Sequence, residues 1–160
     1  AVSSQALGPA RLRALECAMM EPEPFMPKKW ILVVDDDPAI LFMLEEALQH
    51  PAFTITTASD ALQAFIQARD LKPFLIISDI QMPGFGDGPS ALKHLRDDPR
   101  FPKIPIIFIT GMDLLKAREL LPKNDRTIGL MPKPLDLDKI RDYVWALAGI
   151  PPSGPTFSKP

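Results

Sequence analysis

Five short apolar runs, each followed by a helix-like segment, constrain this 160-residue chain more than any other feature. The runs lie at about 30–34, 53–58, 74–79, 104–110 and 128–131. The segments between and after them lie at roughly 38–49, 60–69, 89–97, 113–121 and 136–147. Runs one, three and four are apolar almost without interruption, the pattern of strands covered on both faces. Pro38 follows three aspartates, where a first helical turn needs no amide donor. In that segment Ile40, Leu41, Leu44, Ala47 and Leu48 recur at helical spacing, and Leu137, Ile140, Val144 and Leu147 predict the apolar face of the last helix. Pro122 ends the fourth helix early, ahead of the polar stretch 123–127.

Strands alternating with helices predict an α/β fold: a parallel sheet with helices on both faces. For this size the expected architecture is flavodoxin-like, a doubly wound five-stranded sheet of order 2-1-3-4-5 with five helices. Its crevice opens beyond the carboxyl ends of strands one and three. The domain is expected over residues 28–150. The flanks, 1–27 and 151–160, hold eight of the 19 prolines and are expected to be flexible extensions. The chain begins with Ala while Met19, Met20 and Met26 offer internal starts, so part of the first extension is read as processing material.

The ends of the runs carry the chemistry. Asp35 and Asp36 close the first run, Asp79 the third and Thr110 the fourth, and Lys133 follows the fifth. In a parallel sheet these ends share one edge, so three carboxylates, a hydroxyl and an ammonium converge. Carboxylates about 4 Å apart repel by roughly 4 kcal/mol per pair at an effective dielectric near 20. A divalent cation relieves that repulsion, and Mg²⁺ favours a few carboxylate oxygens together with water and phosphate oxygens. A carboxylate in such a cluster can act as nucleophile towards phosphorus, with the ammonium and hydroxyl stabilising the transferring group. A single Asp at such a place more often caps a helix; the whole set points to a site.

Other function classes are excluded or weakened. A net charge of −2 provides no basic field for direct nucleic-acid binding. No apolar stretch approaches the roughly 20 residues of a membrane span, and charges interrupt the N-terminal apolar residues where a signal peptide would need none. One cysteine, Cys17, and two histidines, His50 and His94, exclude a disulfide framework and argue against structural zinc. Cytoplasmic localisation is expected. The glycines at 84, 86 and 88 lack the spacing of a dinucleotide loop.

Residues 30–148 resemble the receiver domain of bacterial two-component response regulators. The matching pieces are Ile31-Leu32-Val33-Val34-Asp35-Asp36-Asp37-Pro38, Ile76-Ile77-Ser78-Asp79-Ile80-Gln81-Met82-Pro83, Ile106-Ile107-Phe108-Ile109-Thr110-Gly111 and Lys133-Pro134. The resemblance implies a phosphoacceptor switch rather than a conventional enzyme, one that assists its own phosphorylation and dephosphorylation. It implies Asp79 as phosphoacceptor and Mg²⁺ held by Asp35, Asp36, Asp79 and the backbone carbonyl of Gln81. Thr110 and Lys133 would contact the phosphoryl group, Asp37 would stand behind the ligands, and Lys133–Pro134 would be cis. The implied partners are a sensor histidine kinase or histidine phosphotransfer protein and a downstream protein target. The fourth helix, fifth strand and fifth helix would form the output face.

Three departures from the family pattern stand out. Leu130 occupies the position, three before the lysine, where Tyr or Phe is usual. The loop 82–88 is one residue longer than usual and includes Phe85, and Arg126-Thr127 replaces the common Gly-Ala before the last strand. Leu130 and the loop keep a phosphorylation-independent interaction module open as the alternative. A haloacid-dehalogenase type phosphohydrolase fits the Asp35–Asp37 spacing but lacks the residues expected after it. Met43, Met82, Met112 and Met131 are expected as core or loop fillers, His94 as a surface residue, and Asp60, Asp70, Asp97 and Asp98 as caps or solvated positions.

Overall fold

A computed structural model describes residues 27–81 and 88–151. In chain order the elements are β1 (Lys29–Val34), α1 (Pro38–Ala47), β2 (Phe53–Ala58), α2 (Ala61–Leu71), β3 (Leu75–Asp79), α3 (Gly88–Asp97), β4 (Ile106–Thr110), α4 (Leu114–Glu119), β5 (Ile128–Pro132) and α5 (Leu137–Ala148). The five strands form one parallel sheet of order β2-β1-β3-β4-β5. This is the expected flavodoxin-like architecture.

Successive strand side chains point to opposite faces, so each central strand feeds two cores. Leu32, Val34, Ile76 and Phe108 pack with Ala61, Ala68, Leu92 and Ala117 of α2, α3 and α4. Ile31, Val33, Ile77, Ile107 and Ile109 pack on the other face with Leu44 of α1, Leu48 just after it, and Ile140, Val144 and Trp145 of α5. Burial of each large side chain contributes about 1.5–3 kcal/mol, which explains why the continuous apolar runs fall on the central strands.

Aspartates start the helices. Asp37, Asp60, Asp113 and Asp136 each accept a bond from a first-turn amide of α1, α2, α4 and α5 respectively. Gly149, at φ 72°, closes α5, whereas α2 closes on Lys72 at φ 46°, the left-handed region that disfavours a side chain.

Some local expectations shift. The buried face of α5 is Ile140, Val144 and Trp145, while Leu147 is 39% exposed. The stripe advances by four residues from Val144 to Ala148, which packs on the core, leaving Leu147 to one side. Met43 is 40% exposed and fills no core position, whereas Met112 and Met131 pack against the two cores as expected. Strand β4 begins at Ile106 rather than 104, and α1 ends two residues early. Met82 and the glycine-bearing loop with Phe85 lie outside the described residues, as do the extensions apart from Pro27 and Pro151.

Candidate functional site

The carboxyl ends of β1, β3 and β4, with the turn after β5, meet at one edge of the sheet. Asp35 follows β1 and is completely buried, Asp36 is exposed, and Asp79 ends β3 almost fully buried. Carboxylate oxygens of the three lie within 4.8 Å of one another. Lys133 Nζ donates to Asp79 Oδ2 at 2.8 Å and to Asp35 Oδ2 at 3.2 Å. The other oxygen of each carboxylate accepts a backbone amide: Gln81 N to Asp79 Oδ1 and Asp37 N to Asp35 Oδ1, both at 2.9 Å. Both buried carboxylates are therefore oriented at two points.

Thr110, also fully buried, ends β4 one residue beyond the partner of Asp79 in the β3–β4 register. Met112 N donates to its Oγ1 at 3.0 Å, so the hydroxyl acts as acceptor there and keeps its proton to donate. Lys133 N donates to Thr110 O at 2.7 Å, and Lys133–Pro134 is cis. The bond to Thr110 O ties the lysine backbone to the end of β4. Asp35, Asp36, Asp79, Thr110 and Lys133 thus occupy one end of the molecule, with Gln81 directly after β3. Asp37 serves as the α1 cap as well as donating to Asp35.

Charge at the site is unbalanced. One ammonium faces three carboxylates, an excess of negative charge equal in size and opposite in sign to a divalent cation. Desolvation pushes the Asp35 carboxyl above its ordinary range, and the Asp37 amide and Lys133 offset only part of that. Burial alone pulls the Lys133 ammonium down, but bonds and charges from Asp79 and Asp35 together outweigh it and raise the group. An all-oxygen donor set, open to solvent through Asp36, suits Mg²⁺, which keeps several waters.

The histidines stand elsewhere. His50 lies in the α1–β2 connection, its Nδ1 accepting from Ala52 N at 3.1 Å and its ring against Phe53 and Trp145. His94 is exposed on α3. Leu130, half-buried, pairs with Phe108 across the β4–β5 ladder and packs into the core shared with α2, α3 and α4.

One polar cluster gave no signal in the sequence. Arg96 Nε donates to Asp125 Oδ2 at 3.2 Å, and its Nη2 donates to Thr127 Oγ1 and to Ile104 O, both at 2.8 Å. Thr127 in turn donates to Asp125. This cluster ties the end of α3 to the starts of β4 and β5, and it explains the polar pair Arg126-Thr127 at its second member.

Residues 31–144 match the family model described as the response regulator receiver domain. Among curated proteins, the chain is 33% identical over 109 residues to the Escherichia coli DNA-binding transcriptional regulator NtrC, covering 68% of this chain and 22% of that protein. It is 42% identical over 84 residues to the Caulobacter vibrioides response regulator PleD, covering 52% and 18% respectively. The chain thus spans about a fifth of the length of these relatives. Among solved structures, a Francisella response regulator receiver domain superposes with a TM-score of 0.66 at 25% identity, covering 76% of this chain and 98% of that one. The Vibrio cholerae chemotaxis response regulator CheY4, at 24% identity and a TM-score of 0.65, shares the fold over 75% of this chain and 98% of its own. With this match over its sheet and helices, the chain belongs to the response regulator receiver domain family, whose members are phosphorylated on an aspartate in two-component signalling.

Proposed function

We propose that this receiver accepts a phosphoryl group on Asp79 from a histidine kinase or histidine phosphotransfer protein, in a Mg²⁺-dependent step. The observation that carries this reading is the Asp79 carboxylate itself. It is almost buried and held by Lys133 Nζ and the Gln81 amide, with Asp35 and Asp36 within ligand distance. An Asp79 oxygen attacks phosphorus, forming an O–P bond while the P–N bond to the donor imidazole breaks and its electron pair stays on nitrogen. Lys133 neutralises the equatorial oxygens, and the free proton of Thr110 donates to one of them. Asp35, Asp36, Asp79 and the Gln81 carbonyl would hold Mg²⁺. When bound, the ion offsets the charge of the carboxylates and of the incoming group.

The output is a protein contact, and α4, β5 and α5 offer its surface. Leu115 is 77% exposed there, and Leu114, Tyr143 and Leu147 are exposed beside it. Leu130 in place of an aromatic favours a second reading, a receiver that uses this surface without phosphorylation. Labelling with acetyl phosphate and Mg²⁺ decides between them. Asp79→Asn is expected to abolish labelling; undiminished labelling of that variant would sink the assignment. No Mg²⁺ binding at millimolar metal, with no labelling of the unmodified chain, would leave the second reading.

A further inference from the structure

The outer strands of the sheet are β2 and β5. β5 reads Ile-Gly-Leu-Met-Pro, and its glycine and proline weaken any further pairing. β2 reads Phe-Thr-Ile-Thr-Thr-Ala, with none of the charges or prolines that ordinarily blunt an open edge. Lys29 N and Asp35 N donate to Ala52 O and Ala58 O, so by alternation the backbone groups of Phe53, Ile55 and Thr57 face outward. Both ends of this outward row are closed within the chain. Phe53 N–H is taken by His50 O at 3.0 Å, and Thr57 O accepts from Gln67 Nε2 at 2.8 Å. Between them, Phe53 O, both groups of Ile55 and Thr57 N–H have no partner among the described residues. Phe53 and Ile55 line a groove of about 530 Å³ beside this edge, and Lys28 and Glu45 line it too, with opposite charges that offset each other. The groove therefore sets up no strong field of one sign against a like surface.

The pattern of open and closed groups is its own complement. In an antiparallel ladder, residues of a hydrogen-bonded pair exchange both N–H···O bonds. Set β2 against β2 of a second copy, about a two-fold axis at Ile55, and the two Ile55 residues exchange both of theirs. Thr57 N–H of each copy then meets Phe53 O of the other, giving four hydrogen bonds in all. The groups this register leaves over are Phe53 N–H and Thr57 O, which are the two already closed inside each copy. An unrelated antiparallel strand would set an N–H and a carbonyl of its own against those closed groups, at the cost of leaving them unpaired. A second copy brings no such orphans. On the groove side, Ile55 stands beside Ile55 of the second copy as a β-branched cross-strand pair.

We infer that two copies of this chain pair through β2, antiparallel about an axis at Ile55, and so join two five-stranded sheets into one. The contact draws on one short strand from each copy, so it is small and the dimer exchanges with monomer. It leaves β5 at the far edge, and Asp79 at the carboxyl end of β3, uncovered.

Sedimentation equilibrium of the full-length chain at rising concentration tests this, and a dimer is expected. Thr57→Pro removes the donor of two of the four bonds and keeps the carbonyl that Gln67 holds, so it should weaken dimerisation about tenfold. In a mixture of isotope-labelled and unlabelled unmodified chains, a nuclear Overhauser contact is expected between Thr54 Hα of one copy and Thr56 Hα of the other, which this register sets directly opposite. A monomer at every concentration up to about 1 mM overturns the inference, as does a dimer equally tight in Thr57→Pro. A dimer without the Thr54–Thr56 contact also overturns it, because another face then holds the copies together.

Discussion

The two ends of the sheet are built on opposite principles. At the carboxyl end, Asp35, Asp79 and Thr110 are buried together, and a single ammonium serves two carboxylates. At the amino end, Phe53 lies against the rings of His50, Phe74 and Trp145, and His50 against Trp145, with centroids 5.3–5.6 Å apart, and Arg96 satisfies three partners just ahead of β4 and β5. One end concentrates like charge that folding alone does not favour; the other gathers apolar contact and completed hydrogen bonds.

The largest expected effect follows from the aromatic end. Trp145→Ala removes a buried ring from that cluster and should cost about 3–5 kcal/mol, read by denaturant unfolding. The loss should be the same with Mg²⁺ or with EDTA; a loss that disappears on adding metal would break the separation between the ends. Next comes Arg96→Met. It leaves Asp125, a carboxylate only 11% exposed, without its guanidinium, and should cost about 2 kcal/mol with phosphoacceptor labelling intact.

The metal end should respond in the reverse sense. Mg²⁺ at ten times its Kd is expected to stabilise the unmodified chain by about 1.4 kcal/mol through mass action. Asp36→Asn should abolish that increment, and thermal unfolding with and without EDTA reads it directly. Asp125 carries the pH arm. Bonding to Thr127, then to its backbone amide and the nearby cations, holds its carboxyl below the ordinary range. A carboxyl depressed in the folded state contributes stability that is complete above its unfolded pKa and lost as pH falls through the folded one. Asp125→Asn should therefore lose stability at neutral pH but show a shallower decline in acid, seen in unfolding series below pH 4.5. The smallest effect is local. Lys72→Gly relieves the left-handed residue closing α2 and should raise stability by about 0.5–1 kcal/mol.

Much of this architecture is legible in local pattern. Apolar runs marked all five strands within two residues; on the central strands β1, β3 and β4 the reason is that burial on both faces leaves little place for a polar side chain. Asp60 was expected as a cap and is one. The α5 stripe shows where such reading stops. Leu147 and Trp145 both lie near the helical face through Val144, and only the position of α5 on the sheet decides that Trp145 turns inward towards Phe53. Met43 likewise sits in an apolar segment, yet α1 presents it to solvent. Composition cannot tell which side of a helix its neighbour will cover.

By itself the sequence determined the order and type of the elements, the edge on which Asp35, Asp36, Asp79, Thr110 and Lys133 gather, and the family pattern they form. Those properties rest on short-range periodicity and on the rule that parallel strands end on one side. Tertiary structure alone decided that one lysine bridges carboxylates 98 and 54 residues away, that Arg96 closes on residues 29 and 31 positions later, and that a groove opens beside β2. Such contacts follow from strand order and helix placement, and the energy that sets them is shared across the whole core rather than written in any one segment.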